Sequence, residues 1–401
     1  MTNIAILGFG VVGGGTAELI TKNKDEVAAL GGDTVNIKYI LDLRDFPNSP
    51  LGDRVVHDFE QILSDPEIDT VIEVMGGSHP AYEYTAAALR AGKNVITSNK
   101  EVVATYGDEL LEIAREAGVS YRFEAAVGGG IPVISPIIGF IRQNRITEVR
   151  GILNGTTNYI LTKMFTLGES FEASLADAQS RGYAERNPDA DILGLDAARK
   201  IAILAALVTD RLYPTDAIHT EGIVGIRAAD VSAADKLGRQ IKLLGRCIIP
   251  EGGSPFIMVA PFLLPSDAPL STVSGVYNAV EVLGEPIGSA MFFGPGAGAA
   301  PTASAVVGDL MQIMRSGTRC ATPSFTRGDA AIKASFEGFV SRHYLAFPEG
   351  ARKDLLNAFV GATEIEAVGE CAIVTEYLSE SELNERLAAL GVAPLSHIRL
   401  L

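Results

Sequence analysis

"TNIAILGFGVVGGGTAELITK", residues 2–22, joins an apolar run of strand length to a stretch with helical spacing through a glycine-rich turn. Gly8, Gly10 and Gly13 give that turn the spacing G-x-G-x-x-G. In such a pattern the first glycine permits the tight turn, the second lets backbone approach a pyrophosphate, and the third allows close packing of helix on strand. The helix start adds N–H donors and the positive end of its dipole. Gly8, Phe9, Gly10, Val11, Val12 and Gly13 are therefore expected to bind NAD or NADP.

The same rhythm continues outward from this turn. "VNIKYILD" (35–42), "TVIEVMGG" (70–77), "NVITSNK" (94–100) and "SYRFEAAVGG" (120–129) read as further strands, with helical "AYEYTAAALRAG" (81–92) and "YGDELLEIAREAG" (106–118) between them. Alternation of this kind predicts parallel βαβ units, a doubly wound Rossmann-type α/β domain over residues 1–140. Ligands of such sheets bind at the carboxyl ends of the strands. Asp42 at the end of the second strand is placed to accept from an NAD ribose hydroxyl, whereas Arg44 suits a 2′-phosphate. Gly76, Ser98 and Lys100 fall on the same edge.

After residue 140 the order changes. Helical patterns between 156 and 209 are followed by strand-like "QIKLLGRCIIP" (240–250), "FIMVAPFLL" (256–264), "VYNAVEVLG" (276–284) and "IGSAMFFG" (287–294). Helices first and neighbouring strands later predict an α+β domain over 141–320. A helix after "GPGAG" (294–298), with Pro301 in its first turn, is expected to pack back on the first domain over 299–318. Residues 340–401 read strand, helix, strand, strand, helix, strand, a ferredoxin-like order.

Composition narrows the function. The chain has 401 residues, 47% of them hydrophobic, and a formal charge of −16. An acidic chain without Lys/Arg runs is repelled by nucleic acid and anionic membranes. No stretch reaches the ~18–20 apolar residues of a membrane span, and the first residues lack a basic leader, so a cytoplasmic protein is expected. Cys247, Cys320 and Cys371 fit neither a zinc site nor a disulfide framework and are read as buried thiols. The five histidines show no metal spacing and are read as ordinary surface or core residues.

A second informative stretch is "GYAERNPDADILGLDAARK" (182–200), which runs directly into the apolar "IAILAALV". Asp196 and Lys200 are four apart and share one helix face. On a solvated helix such a pair is worth a few tenths of a kcal/mol. In a buried helix an incomplete charge set costs several kcal/mol, which is better tolerated where a charged substrate completes it. Lys200 can then protonate a carbonyl oxygen or deprotonate an alcohol during hydride transfer. Glu185 and Asp191 suit a substrate ammonium, and "NGTTN" (154–158), with Asn154, Gly155 and Thr156 at a helix start, can offer N–H groups to a substrate carboxylate. These residues point to an NAD(P)-dependent oxidoreductase acting on a small amino-acid-like molecule.

The stretch from Ala178 to Lys200 also resembles the signature of the homoserine dehydrogenases. "GFGVVG", "EVMGG", "TSNK", "GGGIPVI", "LNGTTNYIL" and "GPGAGAAPTASAV" extend the likeness over residues 1 to about 315. The resemblance implies interconversion of L-homoserine and L-aspartate 4-semialdehyde, on the route to threonine, methionine and isoleucine. It implies Lys200 as proton donor and acceptor, Lys100 as a second lysine, and Glu185, Asp191 and Asp196 around the substrate. It implies Gly182 and Gly298 beside the cofactor. It further implies a monovalent cation, usually sodium, on the side chain of Glu124 and the carbonyls of Val127, Gly129 and Ile131, and a homodimer or homotetramer built on the sheet of the second domain.

Two features depart from that pattern. Leu41 stands where NADP-preferring members often carry arginine, and the ACT-like C-terminal unit lacks the "DxPGVL"-like turn of effector sites. The rival readings are another Rossmann-type amino-acid oxidoreductase, a semialdehyde dehydrogenase with a cysteine nucleophile, and a nucleotide-binding sensor without catalysis. No cysteine lies in a glycine-rich, site-like context, and the lysine and carboxylate set is intact.

Overall fold

A computed structural model describes residues 1–316, 323–367 and 369–401; Cys320 and the expected boundaries at 318 and 320 lie outside the described residues. The chain divides into one unit of Met1–Arg145, Ala202–Pro214 and Phe292–Gly328, and a second of Ile146–Ile201, Thr215–Met291 and Asp329–Leu401.

The first unit is built on six parallel strands, β1 (Thr2–Leu7), β2 (Val35–Leu41), β3 (Val55–Val56), β4 (Thr70–Glu73), β5 (Asn94–Thr97) and β6 (Tyr121–Arg122), in the order β3-β2-β1-β4-β5-β6. The order reverses between β1 and β4, so the crevice for a ligand opens at their carboxyl ends. Ile4, Ile6, Ile37, Ile40, Ile72 and Ile96 form its core with Ala17 and Ile20 of the first helix, Val11–Lys22. Val306, Leu310 and Ile313 recur at helical spacing along Ala299–Ser316 and close that core from far along the chain.

Two elements differ from expectation here. The helix read over 106–118 begins at Lys100, because the Asn99 side chain accepts from the Val102 amide and caps it. The strand read over 120–129 stops at Arg122, because Glu124 turns inward to bond with residues 133–135.

The second unit holds a mixed sheet. Arg145–Ile152, Arg239–Ile248 and Phe256–Pro265 pair antiparallel in that order, and Gly245 faces Gly151 and Val259. A Cβ on Gly245 would stand 2.7 Å from the Leu153 side chain and 3.1 Å from Ile201 Cβ, so the sheet and its covering residues pack closely there. On this sheet pack the helices Gly155–Leu167 and Ala228–Lys236, and Phe171–Ser180 packs on Gly155–Leu167.

The C-terminal strands run Ser396–Leu400, His343–Pro348, Glu370–Val374, Thr363–Ile365 across the sheet. That is the ferredoxin-like order 4-1-3-2, with helices at Arg352–Ala358 and Glu380–Leu390. They do not stand apart as a third body, because Ser396–Leu400 pairs in parallel with Phe256–Pro265 and makes one sheet of the two. The division also departs from the expected boundary at 141–320: 202–214 and 292–328 cluster with the six-stranded parallel sheet's unit. Cys247 and Cys371 are buried free thiols.

Candidate active site

The glycine turn is shaped as its spacing predicts. Gly8 has φ +97°, and a Cβ there would crowd the Val74 carbonyl at 3.2 Å. A Cβ on Gly13 would lie 2.0 Å from the Gly8 carbonyl oxygen, whereas the space around Gly10 is open. Backbone is thus packed tightly at the turn and left accessible at the helix start, with Val11 exposed and Val12 half-buried. The Phe9 amide donates to Asp42 Oδ2 at 2.8 Å, which ties the turn to the end of β2.

Asp42 is held from three sides. Besides Phe9 it accepts from the Arg44 amide and from Arg44 Nε, both at 3.0 Å. The Arg44 hydrogen bond, opposed by burial, holds the carboxyl down at about 2. Arg44 itself also lies over the Phe46 ring.

Sequence reading overlooked Glu73, the last residue of β4. It is fully buried, accepts from the Met75 amide (2.8 Å) and Thr97 Oγ1 (2.6 Å), and its burial pushes it up to about 7. Thr97 Oγ1 in turn accepts from the Asn99 amide, and Asn99 Nδ2 donates to the Gly77 carbonyl. Glu73 therefore braces the ends of β4 and β5, where Gly76, Ser98 and Lys100 sit. A charged residue within an apolar strand was the available signal.

In the second unit Asn154 caps Gly155–Leu167 by accepting from the Thr157 amide at 2.9 Å. Its Nδ2 donates to Asp191 Oδ1 at 2.7 Å and to Asp196 Oδ2 at 2.9 Å. Asp196 Oδ2 accepts again from Lys200 Nζ at 2.7 Å, and Lys200 also donates to the Leu153 carbonyl at 2.7 Å. Asn154, Asp196 and Lys200 are 5%, 6% and 8% exposed, so this is a buried network with a fixed ammonium. Burial, with the neighbouring Asp196 charge, raises the Asp191 pKa. Gly155 is a glycine because a Cβ would lie 2.6 Å from the Val276 carbonyl oxygen. Thr156 Oγ1 donates to the Tyr183 carbonyl at 2.6 Å and fixes the loop holding Gly182, which has φ +74°.

Glu185 departs from its expected place. It is exposed on that loop, and its backbone carbonyl accepts from Gln179 Nε2 at 3.1 Å. Asp191, Asp196, Asn154 and Lys200 come together without it.

A family model described as homoserine dehydrogenase matches residues 132–311, and one described as its NAD-binding domain matches residues 8–124. The chain is 42% identical over 316 residues to a homoserine dehydrogenase of Pseudomonas aeruginosa, covering 79% of this chain and 73% of that one. One from Lactococcus lactis is 36% identical over 389 residues, 95% of this chain and 87% of the other. The chain belongs to the homoserine dehydrogenase family. The solved homoserine dehydrogenase of Thiobacillus denitrificans superposes with TM-score 0.90 at 33% identity, covering 100% of this chain and 98% of that one. A hyperthermophilic archaeal homoserine dehydrogenase mutant in complex with NADPH is similar at TM-score 0.66 and 28% identity, over 78% of this chain and 97% of the other.

The homoserine dehydrogenase reaction is a nicotinamide-dependent oxidation of an alcohol to an aldehyde, within amino-acid biosynthesis. A cysteine nucleophile has no place in it, and Cys247 is buried with its thiol pKa pushed far up by that burial. Among the described residues no helix is long and apolar enough to cross a membrane.

The loop assigned to a cation by resemblance is a tight glycine turn. Val127, Gly129 and Ile131 lie on a turn with φ +77° at Gly128 and +57° at Gly129. Among the described residues no backbone N–H donates to those three carbonyls. Oxygens of this kind suit a hard cation. The Glu124 side chain, however, accepts from the amides of Val133 (2.6 Å), Ile134 (2.7 Å) and Ser135 (2.7 Å), so most of its lone pairs are already engaged. Gly129 and Gly130 abut the "GPGAG" turn: a Cβ on Gly129 would lie 2.5 Å from the Gly296 carbonyl oxygen, and Gly298 follows with φ +115°. Two glycine runs distant in sequence thus pack backbone to backbone.

Proposed function

We propose that Lys200 moves the proton in the interconversion of L-homoserine and L-aspartate 4-semialdehyde. The observation that carries this reading is a buried ammonium fixed by Asp196 and the Leu153 carbonyl, two acceptors for three N–H bonds. The remaining N–H is available to a substrate oxygen. A nicotinamide bound by the glycine turn would supply the hydride acceptor for the carbinol carbon in the oxidation and the hydride donor in the reverse direction. In the oxidation Lys200, as neutral amine, takes the hydroxyl proton; in the reduction its ammonium supplies that proton to the carbonyl oxygen as negative charge develops. Asp191 and Asp196 receive the substrate ammonium, with the Asn154 amide holding both carboxylates apart. The first amides of Gly155–Leu167, which have no partner within the helix, receive the substrate carboxylate beside Gly155 and Thr156. Glu185 contributes from its loop only by moving inward.

Gly8, Phe9, Gly10, Val11, Val12 and Gly13 hold the pyrophosphate. Gly76, Ser98, Lys100 and Gly298 are assigned to the remainder of the cofactor site, and the family resemblance adds a cofactor role for Gly182 and a second-lysine role for Lys100. NAD is the preferred cofactor, because a 2′-phosphate would meet the Asp42 carboxylate and would have to draw Arg44 away from it. A monovalent cation, sodium, is held by the carbonyls of Val127, Gly129 and Ile131, with Glu124 shaping the loop through its three amide bonds. The active species is a homodimer or homotetramer in the cytoplasm, serving threonine, methionine and isoleucine synthesis.

The test is absorbance of the reduced nicotinamide with homoserine and each cofactor, for wild type and Lys200→Ala. The variant is expected to lose activity by a factor on the order of 10²–10⁴. Undiminished turnover would overturn the assignment of Lys200.

A further inference from the structure

Arg399 lies on the last strand of the chain and is 1% exposed. Its Nε and Nη2 donate to the two oxygens of Glu380 at 2.6 and 2.8 Å, and its Nη1 donates to Glu221 Oε2 at 2.9 Å. Glu221 is gripped from the other side by His219 Nε2, 2.6 Å from Oε1. The Phe336 ring stacks on His219 at 3.7 Å and carries the Arg399 guanidinium at 5.2 Å. Burial opposes ionisation of Glu221, but the His219 bond and the Arg399 charge prevail and hold its carboxyl at about 2. For stability alone such a set is a poor choice, since buried ion pairs are often replaceable by apolar residues without loss.

What the set holds in place is the backbone that follows. The Ile223 amide donates to the Ile192 carbonyl at 2.9 Å. A Cβ on Gly222 would stand 2.1 Å from that same carbonyl oxygen, and one on Gly194 2.9 Å from the Glu221 carbonyl oxygen. Residues 221–223 thus lie on 192–194 with no room between them. Asp191 immediately precedes that turn and Asp196 closely follows it.

We propose that Glu221 and Arg399 are positioning residues for the substrate. Through the 221–223 segment the C-terminal strand sets the turn that carries Asp191 and Asp196 against Asn154. The inference rests on the reading of those two aspartates as the ammonium site. Binding sites built on two carboxylates depend on their separation, and a displacement of ~1 Å far from the chemistry can cost ~100-fold in rate.

The experiment measures kcat and the KM values for homoserine and for NAD in the full chain, for Glu221→Gln, Arg399→Lys and Asp196→Asn, with thermal melts of each. Glu221→Gln is expected to raise the homoserine KM by on the order of tenfold and to leave the NAD KM within about twofold. Arg399→Lys, which keeps the charge opposite Glu221 but loses the bidentate fork on Glu380, should raise the homoserine KM by less and likewise leave the NAD KM within about twofold. A structural role alone would lower the melting temperature and leave the homoserine KM unchanged. If Asp196→Asn raises that KM while Glu221→Gln and Arg399→Lys do not, the positioning role is overturned and the ammonium site stands. If Asp196→Asn leaves it unchanged, the ammonium site fails and the positioning role with it. Should Glu221→Gln not fold, Arg399→Lys decides by the same KM comparison.

Discussion

Replacing Asn154 separates its two duties. As a cap it satisfies the Thr157 amide, and as an amide donor it bonds both Asp191 and Asp196. Losing the cap costs roughly 1 kcal/mol. Each hydrogen bond to a carboxylate is worth roughly 1.5–3 kcal/mol, and two bonds from one amide are not additive. Asn154→Ala is therefore expected to destabilise by about 3–5 kcal/mol. Asn154→Ser keeps the cap and loses only the amide, so it should fall short of that by roughly 1 kcal/mol. Asn154→Asp keeps the cap but sets a third carboxylate against Asp191 and Asp196, and should be the worst at neutral pH. Its deficit should shrink as pH falls toward the carboxylate range, where protonation relieves the repulsion. Urea denaturation at pH 5 and pH 8, read as the shift in midpoint for each variant, tests the ranking. An Asn154→Asp protein as stable as wild type at pH 8 would refute the claim that the amide holds two ionised carboxylates apart.

Three further outcomes are expected. Glu73 has a folded value of about 7 against roughly 4.3 unfolded, so the native state binds the extra proton in that window and stability falls as pH rises through it. Glu73→Gln should flatten melting temperature against pH between 4.5 and 7; a residual slope is expected from Asp309, which burial likewise pushes up to about 7, and an unaltered profile would count against the reading. Asp42→Ala releases Arg44 and removes the ribose acceptor, so the NADP/NAD ratio of kcat/KM should rise about tenfold, or ~1.4 kcal/mol; an unchanged ratio would show that this corner does not select the cofactor. Gly13→Ala drives a methyl against the Gly8 carbonyl and should weaken NADH binding in a fluorescence titration by more than about tenfold with ~1–3 kcal/mol lost in stability. Gly14→Ala, where nothing lies within 4 Å, should bind as wild type does.

The nucleotide half was legible because its information is local. One strand, one turn and one helix carry G-x-G-x-x-G, and Gly8 and Gly13 meet across five residues. The Asp196–Lys200 pair was visible through helical spacing against an apolar background. Glu73 was not, because what makes it matter is Thr97 on the neighbouring strand. The amide partners of Glu124 were hidden for a similar reason: they lie at 133–135, beyond a glycine turn whose path no periodicity reports. Glu185 was drawn in by its place in a charged stretch, yet the loop after Phe171–Ser180 turns it to solvent. The ferredoxin-like order of the C-terminal strands was readable, while its fusion to Phe256–Pro265 was not, since sheet pairing between strands about 135 residues apart leaves no short-range trace.

That fusion bears on how the chain can be cut. The outer side of Phe256–Pro265 is covered at Met258 and Val259 by His219 and Thr220, and at Phe262 and Leu263 by Arg399 and Leu400. Removing the last sixty residues would bare the second half of that strand, "PFLLP", as an apolar edge with unpaired amides and carbonyls. Such edges recruit other chains. A shortened protein should therefore precipitate or swap strands rather than behave as a lighter version of the enzyme, unless a charge is placed at Phe262 or Leu263 on the newly opened edge.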